Sequence, residues 1–313
     1  MNRYLWLDNL KGFTIVLVVM GHCLTGIEQY NSMLYLVRWI YSFHMPLFFV
    51  LSGFSYSILC KKGDYTKHLL NIVLIYLMQS YVYIVFNIFA QKYIATNTIV
   101  NWTDCLWIII YPVAHFWYLH VLIILYIFDA LISKITKRRY IVLIVSIAIL
   151  MLSLVVPNEY VSKIMYMVMF FELGRHYYDN RRNLSILLTS ALMICCFAFP
   201  LLREDIFCYK MIEIAVAFVI SIFFVSVFIK KMDWKVPILN WLGKRCIWIY
   251  IFHSYFTSLG RFVCGKLLGD NIIARVIICT ILGVVCPCVF YKILAIIRSD
   301  FIIAKPIKLF SKK

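Results

Sequence analysis

Charge is scarce in this chain of 313 residues. Only 14% of them are Asp, Glu, Lys or Arg, whereas 64% are hydrophobic and the mean hydropathy is +0.89. Soluble domains carry roughly a quarter charged residues. A soluble fold this apolar lacks the polar surface to cover itself, which excludes an ordinary soluble globular protein. Acid is scarcer still, with 14 Asp and Glu against 31 Lys and Arg, for a formal net charge of +17. Seven prolines and eleven glycines are too few for a collagen-like or low-complexity chain. No CxxC pair occurs among the eleven cysteines, and Cys286-Pro-Cys288 is too tight for a metal knuckle without further ligands. The cysteines read as small buried hydrophobes, and no metal is expected. Gly-rich phosphate loops, HExxH and GxSxG are missing too. The opening MNRYLWLDNLKG lacks the charged, apolar, small-residue order of a cleavable signal peptide, so none is expected.

What is present is a series of long apolar runs. A membrane-spanning helix needs roughly 20 mostly apolar residues. Ten segments qualify, at about 10–27, 35–59, 68–91, 112–133, 140–157, 160–177, 184–202, 208–229, 245–263 and 272–294. The apolar stretch 105–111 reads as a re-entrant or interfacial helix. The expected fold class is therefore all-α, a polytopic integral membrane protein of about ten helices. Its connections are too short to hold a soluble domain, so 1–313 reads as a single transmembrane domain.

Ten crossings put both ends of the chain on one side. Most of the 31 Lys and Arg residues fall on the terminal side or in the even-numbered connections. The opposite side holds Lys92, Lys163, Arg203, Lys210, Arg261, Lys266 and Arg275, and Arg38 lies inside the second span. By the positive-inside rule both termini are expected in the cytoplasm. The basic excess is thus topological, and no nucleic-acid partner is expected.

The informative residues in such a chain are polar groups inside the spans, because each is costly there. Lys11 and His22 are eleven residues apart, which on a helix leaves them about 20° apart around the axis and about 16 Å apart along it. A cation at the membrane edge and an imidazole deep inside suit a long anionic donor such as a coenzyme A thioester. The alternative is a snorkelling lysine and a structural histidine. Asp8, one turn before Lys11, either orients that lysine or pairs with it structurally. The second span adds Arg38, His44 two residues before Pro46, and Ser52-Gly53. Arg38 either snorkels outward or pairs with Glu28. Proline removes an amide donor and kinks a helix, and Gly53 permits close helix approach. Trp117 and Tyr118 form either an interfacial aromatic belt or a sugar-stacking platform. Glu172 and Arg175 are spaced for an i,i+3 ion pair. His253 is a second deep imidazole, functional or a satisfied core residue.

The segments that carry these residues resemble the acyltransferase type 3 family. RYLWLDNLKGFTIVLVVMGH (Arg3 to His22) is similar to its opening, where a basic residue and a histidine flank ten residues; here they are Lys11 and His22. FHMPLFFVLSGF (Phe43 to Phe54) resembles its second signature, HFWYL (His115 to Leu119) its Trp-Tyr-Leu block, and FELGRHYY and LGKRCIWIYIFHSY its later segments. Many members carry two arginines four apart at the start of the third span; this chain has Lys61, Lys62, Lys67 and His68 there. The resemblance is nearest to members that modify surface polysaccharides, including the fucose acetylase-like branch.

The resemblance implies transfer of an acetyl or other short acyl group from cytoplasmic acetyl-CoA, a co-substrate rather than a bound cofactor. The acceptor is a sugar hydroxyl on a surface polysaccharide or lipid-linked precursor. Expected roles are His22 as general base, Lys11 and Asp8 in the catalytic group, and Lys11, Lys61, Lys62 and Lys67 as donor-binding cations. His44, Ser52, Arg38, Trp117, Tyr118 and His253 are acceptor-side candidates. A transporter of polysaccharide or small molecules, or a non-catalytic membrane scaffold, would use the same polar residues differently.

Overall fold

The computed structural model describes residues 4–24, 31–92, 99–179, 186–202, 208–232, 234, 236–267 and 271–296. It contains no strand among them. In a bilayer every backbone amide must be satisfied by the protein itself, and for continuous apolar runs of about 20 residues helix is the solution. The chain divides into two compact units, one of Met1–Ile58 with Asp129–Cys246, the other of Leu59–Phe128 with Ile247–Lys313.

The first unit holds α1 (Leu5–Leu24), most of α2 (Asn31–Lys62), and the end of a helix from the other unit. It also holds α6 (Arg139–Ser153), α7 (Glu159–Asp179), α8 (Ile186–Cys196), α9 (Tyr209–Lys231) and the short α10 (Pro237–Gly243). The second unit holds α3 (Tyr65–Ala90), α4 (Asp104–Trp107), most of α5 (Trp117–Ile135), α11 (Cys246–Leu267) and α12 (Ile272–Ile296). Each of the ten expected segments has a helix in its described part. Among the described residues six helices are long and apolar enough to cross a membrane: Leu5–Leu24, Met33–Lys62, Tyr65–Ala90, Ala114–Ile135, Tyr209–Lys231 and Ile272–Ile293. The other four segments fall outside that set for two physical reasons. The described parts of α6 and α8 are short, at 15 and 11 residues. In α7 the apolar run is interrupted by Glu159, Lys163, Glu172 and Arg175, and in α11 by His253, Ser254, Thr257 and Arg261. The stretch 105–111 forms one exposed turn, α4, and a following turn.

α2 runs through Pro46 without a break. It ends at Gly63, whose φ of 71° lets the chain reverse directly into α3. The amides of Gly63 and Asp64 bond the carbonyls of Cys60 and Leu59, at 3.1 Å each.

Two helix crossings organise the first unit. At the α1–α10 crossing, a Cβ on Gly12 would overlap the Leu239 carbonyl, and one on Gly243 would overlap the Asp8 carbonyl. At the α2–α7 crossing, Gly53 lies against the Phe171 carbonyl and Gly174 against the Val50 carbonyl in the same reciprocal way. Apolar side chains gain little by leaving lipid for one another, so close backbone approach is a main source of helix association in membranes. Gly53→Leu should therefore destabilise the protein by at least the roughly 1–3 kcal/mol typical of overpacking, because backbone cannot move aside as a side chain can. Gly265→Ala is the control, since its new Cβ would meet only the Arg275 guanidinium at 3.7 Å. Thermal unfolding of the detergent-solubilised variants checks the pair.

Candidate functional site

α1 and α2 carry the first group of candidates, all within the first unit. The Lys11 ammonium donates to Ser55 Oγ at 2.8 Å, and Ser55 in turn donates to the Leu51 carbonyl at 2.7 Å. Lys11 and Ser55 are both half-buried. Among the described residues no carboxylate pairs with Lys11, so a positive charge inside a span is held by a hydroxyl alone. Asp8 is buried beside Gly243, and its neighbour Asn9 is fully buried. The Asn9 amide donates to the Met232 and Trp234 carbonyls at 2.9 and 2.8 Å, tying α1 to the end of α9. Ser52, the expected hydroxyl, bonds the Phe48 carbonyl of its own helix at 2.8 Å. Ser55, one turn on, is the residue that meets Lys11, and only the distance between the two helices could have singled it out.

At the other end of α1, His22 is half-buried in the last turn. The preceding Gly21 faces the Tyr41 ring and the Ile40 side chain of α2. His44 is buried one turn from Ile40, with Nδ1 2.7 Å from the Ile40 carbonyl and its ring edge-on to Tyr41 at 4.9 Å. The two helices thus place Lys11 with Ser55 at one end of their pairing, and the last turn of α1, which carries His22, at the other, where Gly21 meets Ile40 and Tyr41. Arg38 is half-buried, its guanidinium 3.4 Å from the Pro200 carbonyl. Glu28 lies outside the described residues.

The second unit holds the remaining candidates. His253 is fully buried, with Nδ1 2.7 Å from the Tyr250 carbonyl and its ring 4.9 Å from that of His115. Ala114, at a φ of 49°, sets the backbone just before His115. Such left-handed conformations are strained for a residue with a Cβ. The Tyr250 hydroxyl donates to the His115 carbonyl, and His115 Nε2 lies 3.3 Å from the Ile251 carbonyl. Tyr118 packs edge-on to Tyr250 at 5.2 Å, and Trp117 begins α5 half-buried. Lys61, Lys62 and Lys67 are exposed around the turn between α2 and α3.

A further cluster was not foreseen as a whole. Asp129, Glu172 and Arg175 are buried, and the half-exposed Arg139 closes the group. Arg175 pairs with Asp129, Arg139 reaches Asp129 at 3.0 Å, and the i,i+3 contact of Arg175 with Glu172 is 4.0 Å. The Arg175 guanidinium also lies over the Tyr56 ring, 4.7 Å from its centre. Two acids and two bases make the group neutral, which is how ionised groups persist inside a membrane. Removing one member of a buried pair typically costs about 3–5 kcal/mol. Asp129→Ala should lower the thermal midpoint strongly, and Asp129→Ala with Arg175→Met should recover part of the loss.

The family model described as acyltransferase domain matches residues 4–292, across both units. The chain belongs to the acyltransferase type 3 family and is a membrane acyltransferase. No curated protein and no solved structure shows a significant match.

Proposed function

We propose that this protein transfers an acetyl or other short acyl group from a coenzyme A thioester to a sugar hydroxyl. The acceptor is a bacterial surface polysaccharide or its lipid-linked precursor. Residues 1–313 act as one functional domain, in the cytoplasmic membrane, with both termini in the cytoplasm. The single observation behind the reading is the Lys11–Ser55 contact, at 2.8 Å. An ammonium held by a neutral hydroxyl keeps its net charge and two further donors for an anion. Donor phosphates supply such an anion, with Lys61, Lys62 and Lys67 as peripheral cations. Asp8 sets the start of α1 and so the placement of Lys11.

The His22 imidazole, about 16 Å along the same helix, takes the proton of the acceptor hydroxyl as the acyl carbon is attacked. The oxygen–carbon bond forms, the carbon–sulfur bond breaks, and the proton passes on to the departing thiolate. His44, Ser52, Arg38, Trp117, Tyr118 and His253 belong to the acceptor side of this reading.

Kinetics in proteoliposomes with varied acetyl-CoA test the division of labour. Lys11→Ala should raise the donor KM about 10- to 100-fold, as loss of a charge-assisted hydrogen bond does, and Lys11→Arg should restore most of it. His22→Ala should lower kcat by about 100- to 10,000-fold, the range for a positioned base. A KM unchanged in Lys11→Ala with kcat reduced would remove the phosphate role. Turnover unaffected in His22→Ala would remove the base.

A further inference from the structure

The second unit contains a cavity of about 350 Å³ between α3, α11 and α12. Its walls are aromatic, formed chiefly by Tyr83, Phe86, Phe252, Tyr255, Phe256 and Phe290. Around it, Val85 and Phe89 of α3, Phe262 and Val263 of α11, and Val289 of α12 are exposed apolar side chains. The surface around the cavity is therefore one that belongs in hydrocarbon. Water has little to bond in such a space, and an empty one forfeits packing on all sides. At roughly 30 Å³ for a group the size of a water molecule, the volume suits about a dozen methylenes. From Val82 to Ala90 the α3 wall is about 12 Å long, which is the shape of one extended chain.

Two polar features narrow the occupant further. Tyr255 lines the cavity, and its hydroxyl is buried with no hydrogen-bond partner among the described residues. A buried donor in that state calls for an acceptor. Ser258, also in the wall, receives a hydrogen bond from the Arg261 guanidinium at 3.4 Å, which places a cation at one end of the cavity. We infer that the cavity binds one acyl chain of a glycerophospholipid, with the ester carbonyl on the Tyr255 hydroxyl and the phosphate toward Arg261. A polyprenyl chain would fill the volume but brings no ester carbonyl to Tyr255. A diacylglycerol would satisfy Tyr255 but offers Arg261 no anion. The inference is independent of acyl transfer, because it concerns retention of a lipid and not turnover.

The test uses the whole protein in detergent, washed free of lipid and then offered dioleoylphosphatidylglycerol, dioleoylglycerol and a polyprenyl phosphate in equal amounts. Native mass spectrometry reads what each chain retains. A single phosphatidylglycerol is expected, at least about tenfold preferred over dioleoylglycerol, a tenfold ratio being a modest binding difference. Ala90→Phe, which fills the end of the cavity, should reduce its retention about tenfold or more. Tyr255→Phe, which deletes only the hydroxyl, should weaken it about 3- to 10-fold, and Arg261→Gln should abolish the preference over dioleoylglycerol. Equal retention by the wild type and by the folded variants would mean ordinary annular lipid and overturn the site. Preferential retention of the polyprenyl phosphate would overturn the acyl-ester assignment.

Discussion

Close backbone approach at a few glycines is the constraint on which the first unit depends. Gly12 and Gly243 interlock α1 with α10, and Gly53 and Gly174 interlock α2 with α7. Each pair is reciprocal, so each crossing has one register and no room to slide. The candidate site side chains are neighbours of these glycines. Lys11 precedes Gly12, Ser52 precedes Gly53, and Ser55 follows Gly53 by two residues. A hydrogen bond of 2.8 Å between two long helices tolerates little play, and locked crossings provide that precision where aliphatic contacts alone would not.

Polar groups in these helices are handled in two different ways. The Asp129–Arg139–Glu172–Arg175 group is neutral, mostly buried and multiply bonded, with Tyr56 over its central guanidinium. Its charges are internally compensated, which suits a structural joint between the end of α5, the start of α6 and α7. Among the described residues, Lys11 is compensated only by an oxygen dipole. Charge inside a span that is left with so little neutralisation marks a functional position more often than a structural one.

Much of this was legible in the sequence, and what was not has a physical cause. The helices follow from hydropathy, because apolar backbone in a membrane has few alternatives to helix. The shared face of Lys11 and His22 follows from helical periodicity alone. The Glu172–Arg175 contact was visible because both residues lie on one helix. Ser55 was not singled out, since its partner is 44 residues away and crossing geometry leaves no local periodic trace. Asp129 lies inside an apolar run that reads simply as a span, and its partners come from two other helices. The seven-residue α10 is far below spanning length and reads as part of a connection, yet it provides the surface on which α1 is seated. The four segments that fall outside the spanning set divide in the same way. Two are short in their described parts, and two carry polar groups that interrupt the apolar run.

On the proposed reading of Lys11 as a donor-binding cation, the choice of a hydroxyl partner bears on how a donor is bound and released. A lysine paired with a carboxylate inside the membrane would be neutral, and an incoming phosphate would have to break an ion pair and leave an acid unpaired, which is strongly unfavourable. Ser55 presents no such barrier. Its Oγ also donates to the Leu51 carbonyl, so it remains bonded when the ammonium turns away. The exchange of a neutral acceptor for an anionic one strengthens each hydrogen bond the ammonium makes, while the ammonium stem keeps its rotational freedom. A carboxylate at position 55 would make α1 and α2 more tightly joined and the cation less available. Under the proposed function, the hydroxyl keeps Lys11 in place when no anion is present and yields it when one arrives.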